Sequence, residues 1–263
     1  MQIVDLTDER KDLFCLCLED WSEEAKESGP KRRHWVDCAQ KQGMRAKLAL
    51  DEDGVEGGMI QYGPIERSFA DGSGLYFIYC IWVHGYKQGR GNFRKRGMGV
   101  ALLRAAEDDA RALGATGMAA WGVSLPVWMR ASWFKKHGYR KSDNQGGSVL
   151  LWKPFTDDAK PPRWFPKAAK KPDPVPGKVA VTAFSSGWCM GMNLTYERAK
   201  RASADFGDAV VFREIDTTDR NTVAEWGLSD AVLVDGRHVR TGPPPSYDKI
   251  HRAIAKRVRR LND

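Results

Sequence analysis

A short basic segment with two glycines is the part of the sequence whose residue types most directly suggest chemistry. The segment RKRGMG, residues 94–99, follows an apolar run and precedes an amphipathic run that extends to Gly114. A glycine-containing turn that opens a helix directs several unpaired backbone N–H groups and the positive end of the helix dipole at one point. The segment therefore predicts a binding site for an anion.

The spacing within this segment excludes two other phosphate loops. A dinucleotide fingerprint requires G-x-G-x-x-G, but Gly89 and Gly91 are followed by Arg94. A P-loop requires Gly-Lys followed by Ser or Thr, which the sequence lacks. The pattern that remains is R-x-x-G-x-G, between a predicted strand and a predicted helix.

Three side chains near the end of the apolar run GLYFIYCIWVHG are candidates for proton or thiol chemistry. His84 has an unperturbed pKa near neutrality and is the first candidate for proton handling, and the alternative is an ordinary histidine in a surface turn. Tyr79 and Cys80 are neighbours on a predicted strand, so one of them should face the cleft. The alternative for each of these two is core filling.

A single cysteine in the second half of the chain is a further candidate. Cys189 lies in AFSSGWCMGM, between a predicted strand and a predicted helix. A cysteine at a helix N-terminus can have a lowered thiol pKa and be nucleophilic, which would allow mixed disulfides, a thiol ligand or a soft metal shared with another chain. The alternative is a structural cysteine.

The elements that position these residues follow from the periodicity of the sequence. Before residue 155 we predict two helices, a hairpin, a buried central strand, a helix, a strand, a helix and a last strand. The helix after the basic turn should bury Leu103, Ala106, Ala110 and Leu113 on one face. After residue 177 we predict a strand, a helix, two strands and a basic terminal helix, so both halves are mixed α/β.

Proline marks the boundary between the two halves. Seven of the 13 prolines fall between Pro154 and Pro176, where neither a helix nor an interior strand can continue. We therefore predict a first domain at residues 1–155, a linker at residues 156–177 and a second domain at residues 178–263.

Composition restricts the compartment and the partners. The hydrophobic content of 42% fits a soluble globular protein, no apolar run is long enough for a membrane span, and the N-terminus has no signal-peptide pattern, so we expect a cytoplasmic protein. The five cysteines are odd in number, and their spacing matches neither a disulfide framework nor a metal site. The net charge of +8 indicates an anionic partner: nucleic acid, membrane headgroups or a phosphorylated cofactor.

In this context, the R-x-x-G-x-G turn and the closing WFKKHGY resemble the GNAT superfamily of N-acetyltransferases over residues 1–155. The resemblance implies a GNAT fold whose central sheet splays at the strand that ends at Val83, so that the pantetheine arm of acetyl-CoA pairs with that strand. Acetyl-CoA would be the acyl donor, and no metal is implied. The cofactor-binding residues that the resemblance implies are Ile81, Val83, Arg94, Arg96, Gly97, Met98, Gly99, Val100 and Ala101.

Two departures from the family pattern concern the chemistry. Phe134 stands where the family often has a tyrosine that protonates the leaving thiolate. The stretch between Val83 and Arg94 is also longer than the usual turn. A general acid must then lie elsewhere, and His84 and Cys80 are the candidate catalytic residues beside the cofactor strand.

Acceptor recognition in this family comes from the first helices. Glu19, Asp20, Glu23 and Glu24 form a negative cluster on a predicted early helix, which would attract a cationic amine. The alternative is a solvated helix face. The implied acceptor is a primary amine of a small molecule or a peptide.

The second half resembles a thioredoxin-like domain over residues 178–263, because residues 188–192 align with the W-C-G-P-C turn. Met192 replaces the resolving cysteine, and Asp230 and Ala231 stand where that fold presents a cis-proline. A dithiol–disulfide cycle within this domain is therefore excluded. The combination of the two halves resembles the YoaP-like acetyltransferases.

These patterns predict an enzyme that transfers an acetyl group from acetyl-CoA to a primary amine by direct attack. The alternative is a thiol-binding or redox-sensing adaptor that uses Cys189, with the first half as a CoA-sensing module. A nucleic-acid binder is the third hypothesis, but the basic terminal helix lacks the interleaved aromatic residues that stack on bases, so it is not favoured. The sequence leaves the oligomeric state open.

Overall fold

The computed structural model describes residues 1–125, 128–167, 170–239 and 244–261. The chain forms two compact units, of which one comprises residues 1–26 and 36–165 and the other residues 27–35 and 166–263. The domain limits expected from the prolines stay a prediction. None of the helices in the described ranges has the length and apolar character that crossing a bilayer requires.

The first unit combines strands and helices along the chain. Its elements are β1 (Gln2–Asp5), α1 (Asp8–Cys15), α2 (Glu23–Gln40), β2 (Arg45–Leu50), β3 (Glu56–Pro64), β4 (Ala70–Asp71), β5 (Leu75–Val83), α3 (Met98–Ala112), β6 (Gly117–Val123), α4 (Ala131–Lys136), β7 (Arg140–Gln145), β8 (Ser148–Pro154) and β9 (Arg163–Trp164). Residues 27–35, which lie within α2, cluster with the second unit.

Seven strands of the first unit form one sheet in the order β1-β2-β3-β5-β6-β8-β7. Neighbouring strands are antiparallel except β5 and β6, which run parallel. Their ladder joins only residues 75–78 to residues 117–120, although both strands continue beyond it. The sheet is therefore splayed at its centre.

Helix α3 packs on this sheet and follows the basic turn directly. Its side chains Leu102, Leu103, Ala106 and Ala110 are buried in the main core. Leu113 was predicted on the same face but is 49% exposed, because α3 ends one residue earlier and Leu113 is its C-cap.

The seven-stranded sheet contains two strands beyond the five that the sequence predicted. Strand β1 precedes the helices and pairs with β2, but its four residues are too few to show an apolar period. The predicted last strand is a hairpin of β7 and β8. The sequence RKSDNQ of β7 has no apolar alternation because β7 lies at the edge of the sheet.

The start of the proline-rich segment belongs to the first unit. Strand β9 pairs with β4, and the Trp164 ring stacks on Phe69 with 6.1 Å between ring centroids. The Trp164 backbone N–H also donates to Asp143 at 2.9 Å. These contacts explain why Trp164 stands among so many prolines.

The second unit contains a smaller sheet. Its elements after residue 165 are β10 (Val179–Ser185), α5 (Met190–Ala204), β11 (Val210–Asp216), α6 (Arg220–Trp226), β12 (Ala231–Val234), β13 (Arg237–His238) and α7 (Tyr247–Arg259). The strand order is β11-β10-β12-β13, with β10 parallel to β11 and antiparallel to β12. The predicted mixed α/β class, with a splayed sheet and a further smaller α/β unit, is confirmed.

Candidate functional site

The gap between β5 and β6 is the central feature of the first unit. Beyond Ile78 and Ala120 the two strands form no ladder with each other, and each pairs only with its outer neighbour. Where the ladder ends, the Trp121 indole N–H donates to the Tyr79 carbonyl at 2.7 Å. A side chain thus takes the place of the next strand-to-strand bond, and the rest of β5 has no neighbouring strand on that side.

A β-bulge bends β5 at the same position. Cys80 pairs with Gln61 and Ile78 pairs with Tyr62, so Tyr79 is an extra residue in the ladder between β3 and β5. A bulge kinks its strand and increases the local twist. The bulge therefore lies where β5 turns away from β6, and it accounts for the gap together with the Trp121 bond.

A cavity of about 590 Å³ opens at this gap. Its walls come from the end of β5, the basic turn, the first turn of α3 and the segment that leads into α4. Of the nine predicted cofactor-binding residues, Arg96 and Ala101 do not line the cavity. The other seven line it, namely Ile81, Val83, Arg94, Gly97, Met98, Gly99 and Val100.

The basic turn reverses direction through left-handed residues. Lys95 has a φ of 63° and Gly97, the N-cap of α3, has a φ of 81°. A Cβ built on Gly97 would meet nothing within 4 Å, so the backbone conformation and not the available space requires glycine there. Consecutive amides in such a turn form a concave donor surface for an anion.

Four amides at this turn remain available for a ligand. Within the described structure, the N–H groups of Gly97, Met98, Gly99 and Val100 have no protein acceptor. The prediction also included Ala101, but its N–H donates to the Gly97 carbonyl at 3.1 Å. The donor surface therefore ends at Val100, because Ala101 makes the first hydrogen bond of α3.

The two arginines of the motif have different surroundings. The Arg94 side chain lies on Gly85 so closely that a Cβ at that glycine would be 1.9 Å from Nε. The Arg96 guanidinium lies over the Phe93 ring at 5.2 Å from its centroid, a cation–π contact. Both side chains are exposed. They add positive charge beside the free amides, although Arg96 is outside the cavity wall.

Aromatic residues from the segment that leads into α4 also line the cavity. Trp133 approaches the first turn of α3, since a Cβ on Gly99 would lie 3.6 Å from its ring. Phe134 is fully buried and packs edge-to-face on Tyr139 at 5.4 Å between centroids. Burial, followed by the charge of Glu107, raises the pKa of the Tyr139 phenol well above its usual value. Neither Phe134 nor Tyr139 therefore supplies an acid for the leaving thiolate.

His84 is a buried side chain and does not lie in a surface turn. It has no exposed area, and its Nδ1 lies 2.6 Å from the Gly91 carbonyl. Its backbone is bonded on both sides, to Gly57 and to Phe93, at 2.9 Å each. His84 is absent from the cavity wall, so the structure supports a role in holding the stretch between β5 and the basic turn.

Tyr79 and Cys80 both lie outside the cavity wall, whereas the sequence predicted that one of them faces the cleft. Both are buried, and the Tyr79 hydroxyl donates to the Arg67 carbonyl at 2.9 Å. Burial also raises the pKa of the Tyr79 phenol far above its usual value. The bulge at Tyr79 interrupts the simple alternation on which the prediction depended, and the cavity is instead reached by residues 81–83.

The four predicted acceptor acids are not on one helix, and Glu24 follows Glu23 in α2. Glu19 and Asp20 lie in the turn between α1 and α2, and Glu23 is the first residue of α2. Asp20 forms an ion pair with Arg90 at 3.3 Å, and Glu23 forms one with Lys26 at 2.7 Å. Glu19 is half buried, and burial raises the pKa of its carboxyl to about 6. Glu19 therefore differs from Asp20 and Glu23 in its burial and in the raised pKa of its carboxyl.

Cys189 is the N-cap of α5 in the second unit and is only 8% exposed. The adjacent Trp188 indole donates to Asp230 at 2.9 Å, and that carboxylate also accepts from Ser186 and Ser229. Burial raises the pKa of the Asp230 carboxyl despite these hydrogen bonds. Asp230 thus organises the turn that carries Cys189.

The cysteines form neither a disulfide nor a metal cluster. All five lie in the described part of the chain, and no disulfide joins any two of them. Among the described residues, no group of three or more His, Cys, Asp or Glu side chains is arranged to hold a metal.

Several cavity residues lie outside the predicted set. These are Trp82, Phe93, Lys95, Trp128, Met129, Arg130, Trp133 and Phe134. The aromatic content of LPVWMRASWFKKHG was a usable signal, because ligand pockets are lined mostly by hydrophobic and aromatic side chains. Trp82 follows Ile81 on β5 and was missed because the prediction assumed strict alternation along the strand.

Comparisons with known proteins show a distant structural likeness. No protein-family model matches the chain, and no curated protein matches it. The crystal structure of PaiA N-acetyltransferase from Thermoplasma acidophilum in complex with coenzyme A is 15% identical, with 59% of this chain and 100% of that chain covered and a TM-score of 0.44.

Two further crystal structures show the same degree of likeness. The GNAT-family N-acetyltransferase YhbS from Escherichia coli in complex with CoA is 12% identical over 62% of this chain and 88% of its own, with a TM-score of 0.44. Ribosomal-protein-alanine N-acetyltransferase from Brucella melitensis is 17% identical over 59% of this chain and 100% of its own, with a TM-score of 0.44.

Proposed function

We propose that this protein is a GNAT-type N-acetyltransferase that uses acetyl-CoA as acyl donor. One observation carries the proposal: the cavity joins an unpaired length of β5 to four free amides at the start of α3. A ligand that fits both must combine an anionic group with an extended, amide-containing chain. The pyrophosphate and pantetheine of CoA have this combination.

Different groups of residues bind the different parts of acetyl-CoA. The N–H groups of residues 97–100 hold the pyrophosphate, and the positive end of α3 favours its charge. Arg94 and Arg96 add charge-assisted hydrogen bonds, each worth about 1.5–3 kcal/mol when shielded from water. Residues 81–83 offer backbone groups to the pantetheine amides, and the aromatic wall near Trp133 covers the thioester arm.

The reaction is a direct transfer with no acyl-enzyme. The lone pair of a neutral primary amine attacks the thioester carbonyl carbon, so that a C–N bond forms while the C–S bond breaks and its electron pair leaves on sulfur. The surplus proton of the nitrogen passes to water, and water protonates the thiolate. Catalysis then comes mostly from holding the two reactants in line and from donors that stabilise the developing oxyanion.

For the second unit we propose a thioredoxin-like domain in a YoaP-like arrangement, with domain limits at residues 1–155 and 178–263. Its strand order supports this proposal, because a central β10 lies beside a parallel β11 and an antiparallel β12. The position of Cys189 at the start of α5 supports it as well.

Release of CoA thiol from acetyl-CoA in the presence of pooled primary amines tests the proposed activity. We expect thiol release that depends on the amine pool and that yields acetylated amines detectable by mass spectrometry. In the variant Gly97→Glu we expect this activity to fall, because the new carboxylate repels the pyrophosphate. Gly114→Glu is the matched control. Both glycines have a φ of 81° and open space, and they flank opposite ends of α3. Activity that survives Gly97→Glu at the level of the control would contradict the proposal.

A further inference from the structure

The stretch between β5 and the basic turn, residues 84–93, packs on the turn between α1 and α2. Arg90 donates to Glu56 at 2.7 Å and to Asp20 at 3.3 Å. Gly89 lies against Trp21 so closely that a Cβ there would be 2.1 Å from the indole ring. These contacts bring the long stretch after β5 next to the predicted acceptor acids.

Tyr86 is the centre of an aromatic group at this junction. Its ring meets Trp21 edge-to-face at 6.0 Å, Trp82 at 6.1 Å and His84 at 5.5 Å between centroids. Tyr86 and Trp21 are 41% and 40% exposed, unusually open for large aromatic side chains. Two exposed rings at right angles present both a face and an edge to a ligand.

A carboxylate without a partner among the described residues lies in the same turn between α1 and α2 as Trp21. In the described part of the chain, the Glu19 carboxylate forms no hydrogen bond or ion pair, unlike Asp20 and Glu23. Burial raises the pKa of the Tyr86 phenol, and the charge of Glu19 raises it further while Arg94 lowers it. Tyr86 therefore lies within electrostatic reach of both Glu19 and the basic turn.

The aromatic group is continuous with the cavity. Trp82 lines the cavity wall and is in contact with Tyr86. Its indole Nε1 is buried and has no hydrogen-bond partner in the described structure. A hydrogen-bond acceptor of a bound ligand, such as a carbonyl oxygen, would satisfy that donor. The aromatic group therefore continues the cavity wall beyond Trp82.

We infer that Glu19, Trp21, Tyr86 and Trp82 form a subsite for a cationic amino group of the acyl acceptor. The carboxylate supplies a counter-charge, and the ring faces attract a cation through their quadrupoles. The same carboxylate disfavours an anionic acceptor through like-charge repulsion. The inference rests on the proposed function, because it names the class of amine that the acetyltransferase uses.

A cation that cannot be acetylated on nitrogen tests the subsite separately from catalysis. Choline and its neutral isostere 3,3-dimethyl-1-butanol are titrated into the full chain, and binding is followed by saturation-transfer NMR. We expect choline to bind at least about fivefold more tightly than the alcohol, the factor that a single cation–π contact supplies. Equal affinities for the two probes would overturn the inference.

Variants identify the residues that recognise the cation. Glu19→Gln and Tyr86→Leu should each weaken choline binding at least about fivefold, whereas Tyr86→Phe keeps the ring and should bind as wild type does. Glu52→Gln is the matched control, because Glu52 is an exposed carboxylate in the turn between β2 and β3. Choline affinity that is unchanged in both Glu19→Gln and Tyr86→Leu would also overturn the inference.

The same samples separate this inference from the proposed function. Each variant is titrated calorimetrically with acetyl-CoA, and unchanged affinity shows that its fold and cofactor site are intact. If the wild type binds choline but not acetyl-CoA, the result contradicts the proposed function and supports the cation site. If wild type binds acetyl-CoA but does not distinguish choline from the alcohol, only the subsite fails.

Discussion

The Trp121 indole N–H donates to the Tyr79 carbonyl at 2.7 Å, at the point where the ladder between β5 and β6 ends. The two strands are parallel neighbours for only four residue pairs before this bond. A side chain that occupies the next backbone acceptor prevents the ladder from closing further. The width of the gap is therefore set by a specific contact and not by strand length alone.

Trp121→Phe should narrow or disorder the gap, because phenylalanine retains an aromatic ring but has no donor for Tyr79. We expect a loss of about 0.5–1.5 kcal/mol in the free energy of unfolding and weaker acetyl-CoA binding. Urea unfolding and calorimetry measure the two effects. Trp164→Phe is the matched control, because the buried Trp164 indole N–H has no partner among the described residues, so its removal should cost no hydrogen bond. Equal losses in both variants would contradict the role of the bond.

Gly57→Ala should displace side chains that line the cavity. A Cβ at Gly57 would lie 2.4 Å from the Phe93 ring and 2.9 Å from the Met98 sulfur, two residues of the cavity wall. We expect a loss of about 1–3 kcal/mol in stability, as overpacking usually costs, together with weaker acetyl-CoA binding. Gly147→Ala is the control, since a Cβ there meets nothing within 4 Å. If Gly57→Ala has the stability and the acetyl-CoA affinity of the wild type, Phe93 can move aside without loss of stability, which would contradict this prediction.

Glu19→Gln should change how stability depends on pH. Burial raises the pKa of the Glu19 carboxyl from 4.5 to about 6, so the folded state binds this proton more tightly than the unfolded state. The wild type therefore loses stability as the pH rises through that window, and the loss persists above it. The variant should be more stable than wild type above about pH 6 and lose this advantage below about pH 4.5.

Urea unfolding over this pH range measures the difference between wild type and variant. Glu52→Gln again serves as the control for removing a surface carboxylate. A difference that stays constant across the window, or that grows as the pH falls, would contradict a raised pKa for Glu19.

His84 should act as a positioning residue and not as a proton carrier. Its Nδ1 is bonded to the Gly91 carbonyl, a contact that Asn could replace through its amide N–H but that Phe could not. We expect His84→Phe to raise amide hydrogen exchange in residues 85–92 and to raise the KM for the amine acceptor. His84→Asn should preserve both values and the pH profile of kcat. A collapse of kcat in His84→Asn would show proton transfer instead.

Cys189 should react slowly with alkylating reagents in the folded protein. A helix N-terminus lowers a thiol pKa, but the side chain is only 8% exposed, whereas Cys38 is exposed. Mass spectrometry after brief treatment with iodoacetamide at neutral pH should therefore find Cys38 modified before Cys189. Earlier modification of Cys189 would favour the adaptor hypothesis over a structural role.

The sequence predicted the parts of the site that depend on local chemistry. A glycine in a basic turn just before an amphipathic helix is typical of an anion-binding turn, so Gly97 and its neighbours were found from the R-x-x-G-x-G pattern. The apolar run through residues 81–83 also indicated a strand at the site. These features need no knowledge of distant contacts.

Features that depend on tertiary contacts could not be predicted from the sequence. The bulge at Tyr79 depends on the register of β5 against β3, which the strand sequence does not specify. The burial of His84 and the pairing of Asp20 with Arg90 depend on how two separate turns pack together. The sequence could therefore name four acids for acceptor binding but could not distinguish Glu19 among them.

Calorimetric titration of acetyl-CoA into wild type, Gly97→Glu and Gly114→Glu tests the central claim most directly. The introduced carboxylate at residue 97 would repel the pyrophosphate and strain the turn that presents the free amides, whereas the same change at residue 114 lies beyond the other end of α3. We expect wild type and Gly114→Glu to bind alike and Gly97→Glu to bind at least about tenfold more weakly, a loss of about 1.4 kcal/mol. No measurable binding by wild type, or equal binding by all three proteins, would contradict the claim that these amides hold the cofactor.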